Sequence, residues 1–321
     1  MKKFLVENVV LGISPRDPFS PFSVGGYKFR YCGHPKTGSI VVFSSKNVLE
    51  DARKNHQNTE IEFDGGEKLT VIFTEGGVVG RRGEGPENSE EITFLEDILV
   101  IGSILTGWNW QLATWKEYEN YWPYGKNALK CVCSNSEQCE KYLQQSICKL
   151  LDPAWQLQFE NGYHLRMLNN HGKIPIKEPR FLANFVIWEW LFPHIKNPNG
   201  AGVQDESENL REIFSDILLH YWGDQVNTDI FNDREVNIFQ ILRNQLTHSS
   251  KLPVNRRGAL DWMKKLTLDD VNRYLEFFDV LTQAVVLKTL NIDAEKKLFR
   301  WQPCEIQYFL EHGKLSLSEI T

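Results

Sequence analysis

The chain has 321 residues, 41% of them hydrophobic and 24% charged, and a formal net charge of -6. This balance excludes wholesale disorder and a general nucleic-acid coat, which needs a cationic surface, while the length suffices for two domains. Six cysteines are too sparse for a disulfide scaffold.

Met1 to Ser14 opens with two lysines and an apolar run, but Glu7 and Asn8 interrupt it and no small-residue cleavage site follows, so it reads as a first strand. Phe4 to Ile13, Tyr27 to Cys32, Ser39 to Ser44, Glu60 to Phe63, Lys68 to Thr74 and Glu91 to Val100 read as strands. Gly33-His34-Pro35, Asp64-Gly65-Gly66 and Gly76-Gly77 separate them as turns. The expectation is a β-rich domain over residues 1–165. Within it, Gly76 to Pro86 lacks the Gly-Lys-Ser/Thr ending of a phosphate loop and the glycine fingerprint of a dinucleotide turn, and reads as a hairpin loop carrying Arg81 and Arg82.

Trp108, Trp110, Trp115, Tyr118, Tyr121, Trp122 and Tyr124 concentrate aromatic surface that suits core packing better than base stacking, because only Lys116 and Lys126 are interleaved. Cys131, Cys133, Cys139 and Cys148 cluster at a spacing that matches no standard zinc site. Ser134 to Leu151 reads as a helix with Tyr142, Leu143, Ile147 and Leu150 on its apolar stripe. His164 and His171 follow in a mixed segment with no pattern that assigns them a role.

After Pro179 a helix through Phe181, Leu182, Phe185, Val186, Ile187, Trp188, Trp190, Leu191 and Phe192 has almost no polar face, so it must be covered within the domain or by a second copy. Asn184 and Glu189 are its exceptions, and a buried carboxylate needs a partner, for which Arg243 is the candidate. Asn197 to Gln204 is a loop by composition. Leu210, Ile213, Phe214, Ile217, Leu218 and Tyr221 then recur at helical spacing.

The next helix carries the chemistry. Asn232 can cap it with Glu235 at the capping-box position, Ile238, Ile241, Leu242 and Leu246 give its apolar stripe, and Pro253 marks its end. Arg243-Asn244 is followed four residues later by His248. Asn244 and His248 share a face, while Arg243 lies about 140° round from His248 and converges through its long side chain. One imidazole can exchange a proton near neutral pH, and a guanidinium can hold phosphate oxygens bidentately. Together they suit RNA cleavage, in which the 2'-hydroxyl is an internal nucleophile and neither metal nor cofactor is required. Lys251, Arg256 and Arg257, with Lys264 and Lys265 beyond, are candidate phosphate contacts. Thr267, with Asp269 and Asp270 in the first turn, caps a last long helix through Val271, Tyr274, Leu275, Phe278, Leu281 and Val285, which Asn291 can end. Residues 296–321 form an extension with no assignment.

The motif Arg243-Asn244-x3-His248, late in a helix between two long helices, resembles the HEPN superfamily over roughly Pro179 to Ile292. The resemblance implies an antiparallel helical bundle over residues 175–295, and so an α+β chain in which a β-rich N-terminal domain precedes a HEPN-like one. It further implies a metal-independent endoribonuclease of a defence or toxin-antitoxin system, with Arg243 and His248 catalytic, Asn244 orienting them and Glu189 supporting. A homodimer presenting two motifs to one cleft is implied too, with RNA as substrate and an antitoxin or defence protein as a possible partner. A catalytically inert HEPN-like dimerisation and binding module is the alternative. Ser250 stands where one toxin subgroup has a tyrosine two positions after the histidine, so regulation by modification there is not expected. No stretch is long and apolar enough for a membrane span, and a cytoplasmic protein is expected.

Overall fold

A computed structural model describes residues 2–7, 22–24, 27–32, 61–62, 68–69, 71–76, 89–112, 127–196, 210–232, 237–249, 261–299 and 303–316, with side chains for most of those from residue 96 onward. The chain divides into two compact units, Met1–Lys149 and Leu150–Thr321.

Helix dominates the described residues, and the expected β-rich N-terminal half is corrected accordingly. Glu91 to Val100, read as a strand, lies inside α1 (Ser89–Thr106), a helix of 18 residues. Its run of Ile and Val fits either period, and length decides: five helical turns bury Ile98, Leu99, Ile101, Ile104 and Leu105, far more than one strand would. Among the described residues, strand backbone is confined to short segments: β1 (Lys2–Glu7), β2 (Phe22–Val24), β3 (Tyr27–Cys32), β4 (Ile61–Glu62), β5 (Lys68–Leu69), β6 (Val71–Gly76) and β7 (Gln111–Leu112). Five of them align antiparallel in the order β2-β3-β6-β1-β7. The segment Ser39 to Ser44 and the hairpin-loop arginines Arg81 and Arg82 fall outside the described residues.

Trp110 folds back onto α1, its backbone N–H donating to Ser103 Oγ at 2.9 Å. The ring lies where a Cβ on Gly102 would sit, only 2.2 Å from Trp110 Cε3, so glycine is required there for close approach. At 3% exposure Trp110 is core, as packing rather than stacking predicts, and Trp108 is half-buried; the other five aromatics of that run lie outside the described residues. Helix α2 (Ser136–Leu150) buries Cys139, Leu143, Ile147 and Leu150 at helical spacing, with Tyr142 half-buried. Cys131, Cys133, Cys139 and Cys148 are not joined in disulfides. A hydrogen bond with Cys139 and burial push the Cys133 thiol up, so it stays protonated and unreactive.

The second unit contains α3 (Pro153–Gln158), α4 (Tyr163–Gly172), α5 (Lys177–Lys196), α6 (Leu210–Trp222), α7 (Thr228–Asn232), α8 (Ile238–Ser249), α9 (Asp261–Lys264), α10 (Leu268–Thr289), α11 (Glu295–Leu298) and α12 (Pro303–His312). Thr267 caps α10 in a full capping box with Asp270, its Oγ1 accepting from the Asp270 N–H at 3.2 Å and Asp270 Oδ2 accepting from the Thr267 N–H at 2.9 Å. Asn291, at φ +59°, ends it: its N–H donates to Lys288 O and the Ile292 N–H to Leu287 O, the paired bonds of a Schellman stop.

Phe278 of α10 is the hub of the core. Phe239 of α8 lies 4.7 Å from it, and Phe181 and Phe185 of α5 lie 4.8 Å away, centroid to centroid. Phe214 of α6 closes the cluster against Trp188 at 4.7 Å. The unit thus covers most of α5 by itself; among that helix's large apolar residues, Val186 is left 49% exposed. Among the described residues after 296, Phe309 of α12 packs on Phe231, Phe239 and Phe277, and the Leu315 N–H donates to Tyr274 Oη at 3.0 Å.

Candidate functional site

Helix α8 buries Ile238, Phe239, Leu242, Gln245 and Leu246, one continuous face toward the aromatic core. Its cap differs from the expectation. Asn232 ends α7, and Asn237 does the work instead, its Oδ1 accepting from the Gln240 N–H at 3.2 Å. Glu235 and Pro253 lie outside the described residues.

With that face inward, Arg243 and Asn244 are left half-buried at the helix edge and Thr247 is exposed. Arg243 Nη2 donates to Glu189 Oε1 at 2.8 Å, and the guanidinium lies 5.7 Å over the Phe185 ring. The anchor and the partner therefore come from adjacent turns of α5. Arg243 and Glu189 are each 32% exposed, so Glu189 is an edge carboxylate rather than the buried one that an all-round apolar helix implies. An ion pair at that exposure is worth about 0–1 kcal/mol, and its consequence is orientation more than stability. Thr247 Oγ1 donates back to Arg243 O at 2.8 Å, fixing its own side chain along the helix.

His248 belongs to the same helix, five residues on from Arg243, but its side chain lies outside the described residues, as do Lys251, Arg256 and Arg257. What the structure brings together is Arg243, Glu189 and Phe185; Asn244 is the next residue of α8 and turns about 100° away from Arg243. Among the described residues no group of three or more His, Cys, Asp or Glu side chains converges to hold a metal ion, and no helix is long and apolar enough to cross a membrane.

Two polar clusters in this unit escape sequence reasoning. In the first, Arg180 Nε and Asn184 Nδ2 each donate to the Asp279 carboxylate at 2.8 Å, and Trp188 Nε1 donates to Thr282 Oγ1 at 2.9 Å. The donors recur every fourth residue on α5, so one stripe clamps α5 to α10. Burial pushes the Asp279 carboxyl up, against the pull of the Arg180 charge and hydrogen bond and of Asn184. In the second, His164 is fully buried, with Nε2 2.9 Å from Thr289 Oγ1 and its ring stacked 5.2 Å from Trp190. Burial, helped by the charge of nearby His194, pushes its pKa down to about 3. It is a neutral core imidazole with no capacity to serve as a base near pH 7.

No protein-family model, curated protein or solved structure matches the chain.

Proposed function

We propose that the C-terminal helical unit is a metal-independent endoribonuclease of the HEPN type, acting in a defence or toxin system and cleaving RNA by attack of its own 2'-hydroxyl. The observation that carries the reading is Arg243, anchored by Glu189 at the solvent edge of α8 and followed on the same helix by His248. In the reaction, His248 takes the proton of the 2'-hydroxyl, the 2'-oxygen bonds to phosphorus, and the bond to the 5'-oxygen breaks as that oxygen gains a proton. Arg243 holds the charge that accumulates on the phosphoryl oxygens, and Asn244 orients the pair. Lys251, Arg256 and Arg257 contact flanking phosphates. A homodimer belongs to the same reading, resting on the family resemblance, since one unit covers most of α5.

The opposing reading is an inert HEPN-like binding module, and the Arg243–Glu189 pair is what favours it: a guanidinium already matched by a carboxylate is a poorer phosphate ligand than an unmatched one. One experiment separates the two. The full chain is incubated with total RNA in EDTA beside Arg243→Ala and His248→Ala, and the product ends are sequenced. The nuclease reading expects cleavage by the wild type alone, leaving 2',3'-cyclic phosphate and 5'-hydroxyl ends, and none at a deoxyribose. A 5'-phosphate product, or full activity in His248→Ala, refutes it.

A further inference from the structure

Helices α4 and α5 run antiparallel: Tyr163 at the start of α4 meets Trp190 late in α5, and His171 at the end of α4 lies beside Asn184. Glu189 and Trp190 are consecutive, so they diverge by about 100° around α5. Glu189 turns to α8 and Arg243, and Trp190 turns to α4 and Tyr163. Val186, three and four residues before them and 49% exposed, lies on the uncovered strip between. Arg243 and the Tyr163–Trp190 pair therefore flank one solvent-facing strip of α5.

The aromatic pair is supported through Trp190. Tyr163 is 49% exposed and Trp190 half-buried, with ring centroids 5.9 Å apart. The buried His194 ring backs Trp190 at 4.0 Å, and His164 stacks on it at 5.2 Å. Gln158 Nε2 donates to His194 O at 3.0 Å, tying the end of α3 to this corner. Trp190 held this way gives Tyr163, the more exposed ring, a fixed surface to pack on, so Tyr163 loses less freedom when a flat ligand stacks on it. Tyr163, Arg166 and Asn170 recur at i, i+3 and i+7 on the solvent side of α4, and Lys173 follows at its C-cap, so two cations accompany the aromatic. An aromatic ring with cations beside it suits a base and its phosphates.

We infer that Tyr163 and Trp190 form a base-stacking subsite for single-stranded RNA, receiving an unpaired nucleotide next to the phosphate held by Arg243. The inference rests on the nuclease reading of Arg243 and adds what that reading lacks, a reason for the enzyme to select unpaired strands: a base within a duplex has no free face to offer.

The test uses the full chain carrying His248→Ala, so that RNA is bound without being cut, and an oligouridylate as probe. Adding Tyr163→Ala should weaken binding roughly ten-fold, while Tyr163→Phe keeps wild-type affinity because stacking needs the ring and not the hydroxyl. Trp190 is too well packed for its truncation to be clean, so an abasic ribose placed at each position in turn supplies the second measurement. One position should exist at which Tyr163→Ala has no further effect. If the chain binds and cuts RNA but Tyr163→Ala binds it as tightly as its parent, the subsite is refuted and the nuclease reading stands. If it neither binds nor cuts single-stranded RNA, both fall. A change in sedimentation with RNA affinity unaltered would make the pair a protein-binding surface and overturn the inference.

Discussion

Lowering the pH from 8 to 5 is expected to weaken the C-terminal unit through His164. In the unfolded chain its imidazole titrates near 6.5, whereas burial holds it to about 3 in the native state. A histidine whose native pKa is depressed gives stability that is complete above the unfolded value and lost as pH falls toward the native one. At pH 5 the unfolded imidazole is almost fully protonated and the native one almost fully neutral, so proton binding favours unfolding by about 2 kcal/mol relative to pH 8. The perturbation is His164→Gln, which removes the titrating group and can keep a hydrogen bond to Thr289 Oγ1. Urea unfolding of both proteins by circular dichroism, at pH 8 and at pH 5, gives the change as a double difference. Any cost of the substitution that does not depend on pH cancels, and so do His171 and His220, whose pKa values burial also lowers. The wild type should lose about 2 kcal/mol more than the variant. Equal losses in the two proteins would mean that the native imidazole reaches solvent, and the reasoning from burial would fail.

Gly102→Ala should cost about 1–3 kcal/mol, read as a lowered melting temperature, since a methyl group there meets the buried Trp110 ring and one of the two must move. Arg243→Lys should change stability by less than about 1 kcal/mol, because the Glu189 pair is a third exposed, yet it should abolish RNA cleavage by removing the planar fork; full activity in that variant would reduce Arg243 to a generic charge.

What the sequence reveals here is mostly local chemistry. The start of α10 at Thr267 and its stop at Asn291 are written in adjacent residues, because a cap side chain bonds a backbone group three positions away and a left-handed stop needs a residue that tolerates φ near +60°. The start of α8 misleads for the same reason: the capping chemistry of Asn232 is good on paper, but the cap that forms is Asn237, which directly precedes the core face beginning at Ile238. Helix α1 misleads because Ile and Val favour strands on average, and tertiary burial of a long apolar run overrides that preference. Long-range pairs are the least readable. Glu189 announces itself as a carboxylate in an apolar run, which is enough to seek a cation for it, whereas Arg180 and Asp279 sit 99 residues apart and nothing local to either marks the other as its partner. The exposure of Glu189 is not readable at all, since it depends on which strip of α5 the neighbouring helices leave uncovered.

That uncovered strip ties the observations together. A helix that is apolar all round would ordinarily present nothing to a polar ligand. Here the rings of α6, α8 and α10 take its inner face, and the Arg180–Asn184–Trp188 stripe takes the side toward α10, leaving Val186, Glu189 and part of Trp190 at the surface. Glu189 then acts as an aiming device. An arginine at a helix edge samples many rotamers, and a charge-assisted bond to a carboxylate on the neighbouring helix biases it toward one of them before any ligand arrives. The cost is electrostatic, because the carboxylate cancels part of the field that would attract a phosphate. A point charge would lose most of its use under that trade. A guanidinium loses less, because its donors are spread over a plane and one partner engages only one edge. The pairing therefore leaves the guanidinium more capacity to bind a phosphate than it would leave a lysine at the same place.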